Sequence, residues 1–211
     1  MIKISLKGLA KFMAGNSAQQ RKVLRDFKYP DPEGFAQTIY YREARDFITA
    51  YHQNRQPIQW LFDRASQLDA IADQSSGQTT TRYKNNARAI RGYARYFGNR
   101  KFEVLPDVSL AVTYAGVMVT VFPDLHVREN RAEKIIKFEF SKDAPDDKMV
   151  KVIAQAMYEA QSNDGMRLKS SSVLYIDVRR GVTHKGARAG SRMRHEMEAA
   201  CKNISTLWNG I

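Results

Sequence analysis

The sequence has a single cysteine, Cys201, in 211 residues. That excludes an internal disulfide framework and any cysteine-rich zinc module, and it fits a reducing compartment. Cys201 lies among Ala199, Ala200 and Ile204, where it reads as a small buried hydrophobe. The histidines have no paired ligand spacing with it, so no zinc is expected. No stretch reaches the length of apolar chain that crosses a bilayer. The opening MIKISLKGLAKFMAG is punctuated by lysines instead of carrying the unbroken apolar run of a signal peptide. The expectation is a protein of the cytoplasm or another intracellular setting, with no membrane partner. Fixed-period repeats and long polar linkers are missing too, so residues 1–211 are read as one domain.

Acidic side chains are scarce. Twenty-two Asp and Glu face 34 Lys and Arg, a net charge of +12, while 43% hydrophobic residues exclude a disordered polycation. The deficit is concentrated in two places. Arg82 to Lys101 contains Arg82, Lys84, Arg88, Arg91, Arg95, Arg100 and Lys101 without one acid. Val178 to His195 contains Arg179, Arg180, Lys185, Arg188, Arg192 and Arg194, again without an acid, and Gly181, Gly186 and Gly190 let it turn closely past a partner. Such arrays attract phosphates, and the planar guanidinium grips two oxygens at once. The partner expected is nucleic acid, with DNA and RNA both open. The residues assigned to it are Lys84, Arg88, Arg91, Arg95, Arg179, Arg180, Lys185, Arg188 and Arg192. Tyr93 and Tyr96 beside them suit either base stacking or the core. No zinc finger, basic zipper or helix-turn-helix pattern supplies base reading.

Residues 1–100 read mainly as helices. One spans Ile4 to Met13 around Gly8, and a second follows a capping box from Ser17 to Gln20. The prolines of YPDPEG interrupt them, and a third helix starts near Phe35, with Tyr40, Ala44, Phe47, Ile48 and Tyr51 as its stripe. Pro57 separates a helix bearing Leu61, Ala65, Leu68 and Ala72. DQSSGQTTT reads as a loop, followed by a helix from Arg82 to Phe97 that Gly98 closes. Beyond residue 100, VLP, VSLAVTYAG, VMVTVFPDLHV and IIKFEF have the composition of successive strands, with turns at Gly116 and ENRAE. Pro145-Asp146-Asp147 opens a helix with Met149, Ile153, Ala156, Met157 and Ala160 inward. SSVLYIDV is a strand, and a last helix runs from about Ala187 to Trp208.

The order helix, three strands, helix, strand over residues 82–178 resembles the restriction-endonuclease-like PD-(D/E)XK superfamily, and Pro123-Asp124 stands where the first half of its motif falls. The resemblance implies an α/β or α+β fold. Residues 101–178 would form a central mixed sheet with a crossover helix, residues 1–100 a helical layer, and residues 179–211 a basic loop and terminal helix. It also implies a metal-dependent nuclease or phosphodiesterase in which Asp124 and Glu139 hold Mg²⁺ or Mn²⁺ and Lys137 supports phosphate or water. On the third strand Lys137-Phe138-Glu139 has its charged types in the reverse of the superfamily's order. Residues two apart on a strand share a side, so Lys137 and Glu139 converge if Asp124 comes from the neighbouring strand. Glu103, Asp107 and Glu133 are open choices for a third ligand.

Three readings stay open on the residues alone. The charges form a nuclease centre, or an inactive nuclease-like scaffold that binds nucleic acid, or ordinary cross-strand pairs on a solvated strand end. His184 is a phosphate contact or a plain loop histidine, and Asp177 is a site residue or an anchor for Arg179. A structural or assembly protein is a further alternative, in which Met193, Met197, Ile204 and Trp208 meet a partner, a second copy of the chain included.

Overall fold

The computed structural model describes residues 1–30, 40–186 and 191–211. The fold is mixed α+β, with two sheets and flanking helices. The chain opens with a strand, β1 (Ile2–Ser5), where a helix from Ile4 was expected. The helix α1 (Leu6–Ala14) begins only after Ser5, whose hydroxyl accepts the Gly8 amide as its cap. The next cap is Asn16, which exchanges hydrogen bonds with Gln19 ahead of α2 (Ser17–Lys28), one residue earlier than the expected Ser17–Gln20 box. The start near Phe35 lies outside the described residues. The helix itself, α3, spans Arg42–Gln53. After α4 (Ile58–Asp73), α5 (Gly77–Phe97) takes up most of the presumed DQSSGQTTT loop, because Gly77 to Thr81 add a turn ahead of Arg82. Gly98 caps its end as expected.

The strands do not form one meander. β2 (Glu103–Val104), β3 (Leu110–Tyr114) and β4 (Val117–Val121) are followed by β5 (Leu125–Glu129) and β6 (Ala132–Glu139). VMVTVFPDLHV therefore breaks at Phe122-Pro123. β4 pairs with β1 and β3 in a three-stranded sheet, while β5 belongs to a five-stranded sheet ordered β2-β5-β6-β7-β8. Pro123 has no amide hydrogen to continue the first ladder. The Asp124 amide then donates to Ile136 O at 2.8 Å and starts the second. The helix α6 (Asp147–Asn163), capped by Asp146, carries the chain to β7 (Val173–Asp177), which lies parallel to β6. An edge strand, β8 (Val182–Lys185), occupies part of the expected basic loop, and α7 (Ser191–Trp208) ends the fold, the expected start near Ala187 lying outside the described residues.

The five-stranded sheet is buried on both sides, as a parallel pair with a helical crossover requires. Ile135, Val173 and Tyr175 face a core built with α1, α6, α7 and the smaller sheet. Ile136, Phe138, Leu174 and Ile176 face a second core against α3, α4 and α5. Met197, Cys201 and Ile204 of α7 are buried in the first core, with Met193 and Trp208 packed against it, so this stripe closes the chain's own interior. No helix among the described residues is long and apolar enough to cross a membrane.

Candidate functional site

The parallel register places Lys137 beside Tyr175 and Glu139 beside Asp177, and Asp124, just ahead of β5, meets Lys137 through its side chain. Paired residues share a side of a sheet. Asp124, Lys137, Glu139, Tyr175 and Asp177 therefore gather at the carboxyl ends of β6 and β7, where open α/β sheets present their ligand crevices. Two layers add charge. α1 contributes Lys7, whose Nζ is 2.9 Å from Glu139 Oε2, and α3 contributes Arg45, whose Nε is 2.8 Å from Asp124 Oδ1. The Arg45 contact is an ion pair and not an aligned hydrogen bond.

Each carboxylate is closely held. Asp124 Oδ1 also accepts from Lys137 Nζ at 3.0 Å, and Oδ2 accepts the Phe138 amide at 2.8 Å. Glu139 Oε1 accepts the Ser141 amide and hydroxyl at 2.9 and 2.7 Å, while Oε2 accepts Tyr175 OH at 2.5 Å in addition to Lys7. Burial pushes the Glu139 carboxyl upward, but Lys7, Tyr175 and Ser141 together outweigh it and hold the group at about 2. Burial pulls the Lys137 ammonium below its ordinary value; Asp124 opposes this, while Arg45 and Lys7 reinforce it. Burial and the Glu139 charge push the Tyr175 phenol up, so it stays a hydrogen-bond donor.

A Mg²⁺ ion needs free carboxylate oxygens and completes an octahedron with water. Three of the four oxygens here already take two protein contacts each. In this arrangement Asp124 and Glu139 fit ammonium, guanidinium and hydroxyl donors and not a metal shell. The third-ligand choices stand elsewhere. Glu103 pairs with Arg128 at 2.8 Å, Glu133 with His126 at 2.7 Å, and Asp107 lies between β2 and β3. Glu139 lies six positions beyond Glu133 along β6, roughly 20 Å. The carboxylate nearest in register is Asp177, which accepts the amides of Arg179 and Arg180 and the Arg180 guanidinium at 2.8 Å. Asp177 is thus an anchor, for Arg180 more than for Arg179.

The nine residues assigned to nucleic acid fall into distinct settings. Arg179 reaches Phe140 O, Tyr41 OH and Asn85 Oδ1, tying the end of β7 to α3 and α5. Lys84 and Arg91 pair with Asp73 and Asp69 of α4, and Arg192 pairs with Glu196. Arg88 and Arg95 are exposed on α5 with no acidic partner among the described residues, and Lys185 is exposed at the end of β8. Arg188 lies outside the described residues. Tyr93 is fully buried and bonded to His52 at 2.6 Å, whereas Tyr96 is half exposed over Gly181. His184 is half-buried on β8, opposite Tyr175.

Lys7, Arg45, Tyr175 and Ser141 are missing from the sequence reading. Lys7 and Arg45 meet their partners across long separations and leave no local mark. Tyr175 was legible as the residue two before Asp177, sharing its side of the strand. The chain matches no family model and no curated protein.

Proposed function

We propose that this protein binds nucleic acid through its phosphates, on a scaffold resembling the PD-(D/E)XK superfamily. One observation carries the reading: at the carboxyl ends of β6 and β7 the cations outnumber the anions. Lys7, Arg45 and Lys137 surround Asp124 and Glu139, and Arg179 and Arg180 border Asp177. The neighbouring helix α5 adds the exposed Arg88 and Arg95. An anionic polymer is attracted to such a surface, and the two carboxylates keep the cations fixed in place between encounters. Within this reading Lys7 and Arg45 contact phosphate, and Asp124 and Glu139 position them.

A second reading, metal-dependent phosphodiester cleavage, is favoured by the convergence of Asp124, Lys137 and Glu139 at one strand end. It requires Lys7 and Arg45 to give up their carboxylate contacts to Mg²⁺ or Mn²⁺. Fluorescence anisotropy with labelled single- and double-stranded DNA and RNA, followed by gel analysis of the same strands with Mn²⁺, separates the two. Binding without cleavage is the expected result. Cleavage that Asp124→Asn and Glu139→Gln both abolish selects the second reading, and absence of binding to all four strands removes both.

A further inference from the structure

At the opposite end of the five-stranded sheet the two basic segments of the sequence meet. Arg100 from the first and Lys185 from the second line a concavity of about 420 Å³ with Lys134, Lys169, Ser171 and Thr183. The topology brings them there. Thr183 and Lys185 pair with Ile176 and Leu174 on β7, and so share one side of the sheet. A single 3-10 turn, Ser170–Ser172, leads into β7 and places Lys169 and Ser171 at the rim.

The balance of charge in this concavity is lopsided. Glu129 is the carboxylate that answers these cations. Arg100 takes both its oxygens, at 2.8 and 2.6 Å, and Lys134 approaches to 2.5 Å. The Arg100 hydrogen bond, against burial and with help from Lys134, holds the Glu129 carboxyl at about 2, so it stays ionised. One negative charge thus faces Arg100 and Lys134 together. Lys169 and Lys185 are exposed and have neither an acidic nor a hydrogen-bonding partner among the described residues, and the hydroxyls of Ser171 and Thr183 have none either. The cavity therefore offers two uncommitted ammonium groups, two uncommitted hydroxyls and a residual positive field behind them.

We propose that this concavity binds a phosphomonoester or pyrophosphate group. Such a group carries close to two negative charges and several strong acceptor oxygens, which matches two ammonium donors and two hydroxyls better than a carboxylate does. The volume is in the range of small-ligand sites. Along β6, Glu139 lies seven positions beyond Ala132 at this concavity, roughly 23 Å, so the site is distinct from the Asp124–Glu139 cluster.

Isothermal titration of the intact chain with inorganic pyrophosphate at low salt tests the assignment. Binding is expected, weakened about tenfold by Lys169→Gln/Lys185→Gln and changed less than about twofold by Lys151→Gln/Lys202→Gln, an exposed pair outside the lining of this cavity. Short oligonucleotides with a 5′-phosphate or a 5′-hydroxyl identify the source. A 5′-phosphate preference lost in Lys169→Gln/Lys185→Gln points to a strand end, and pyrophosphate binding without that preference points to a free phosphorylated small molecule. Equal loss in Lys151→Gln/Lys202→Gln, or no pyrophosphate binding, overturns the proposal. The other cluster is tested separately by Lys7→Gln/Arg45→Gln on nucleic-acid affinity, so failure here leaves the nucleic-acid reading to its own test.

Discussion

Glu139 keeps its charge inside the protein because each of its oxygens meets two donors. Replacing it with Gln weakens the charge-assisted hydrogen bonds from Tyr175 and Ser141 to this buried carboxylate and should cost about 2 kcal/mol in urea unfolding, the partly exposed Lys7 adding little. Acid should produce a related loss in two windows. Burial, reinforced by Arg100, lowers His52 from 6.5 to about 4, so the folded state favours neutral imidazole. Its contribution is complete above the unfolded value and disappears as pH falls from about 6.5 towards 4. Glu139 and Glu129 are held at about 2 against an ordinary 4.5, and their contribution disappears as pH falls from about 4.5 towards 2. Urea midpoints measured from pH 7 to pH 2 should show both declines. His52→Gln should flatten the upper window alone and Glu139→Gln part of the lower; a wild-type midpoint that is flat from pH 7 to pH 4 contradicts the His52 account.

Helices were the more legible elements because their signals are local. Gly98 after Phe97 and Asp146 ahead of α6 announced helix ends from neighbouring residues alone. Asp146 accepts the amides of Lys148 and Met149, and Asp146→Ala should lower stability by about 1 kcal/mol in thermal unfolding. β1 escaped notice because four residues, IKIS, become a strand only by pairing with β4 more than a hundred residues later. The division of VMVTVFPDLHV was hidden for the same reason, since composition marks a strand but not which sheet receives it. Pro123, read as lying inside one strand, is the corner where the ladders change, whereas the site was legible to the extent that Asp124, Lys137 and Glu139 come together beside it. Close approach between elements gives another test. A Cβ on Gly92 would lie 2.8 Å from the Val178 carbonyl oxygen, so Gly92→Ala should lower the melting temperature although alanine is the better helix former. A raised melting temperature would contradict the packing of α5 on the end of β7.

Across the whole molecule, positive charge is arranged at both ends of one sheet, with α5 and its exposed Arg88 and Arg95 packed on the face between them. A net charge of +12 alone would give diffuse attraction to any polyanion. In the proposed mode of binding, particular cations, held by Asp124 and Glu139, meet phosphates. The most direct measurement is nucleic-acid affinity by fluorescence anisotropy across a series of NaCl concentrations, for the wild type and for Lys7→Gln/Arg45→Gln. A linear fall of log affinity with log salt is expected, and the double variant should bind more weakly with a slope shallower by roughly 2, close to one per phosphate contact removed. An unchanged affinity and slope in that variant would contradict the account.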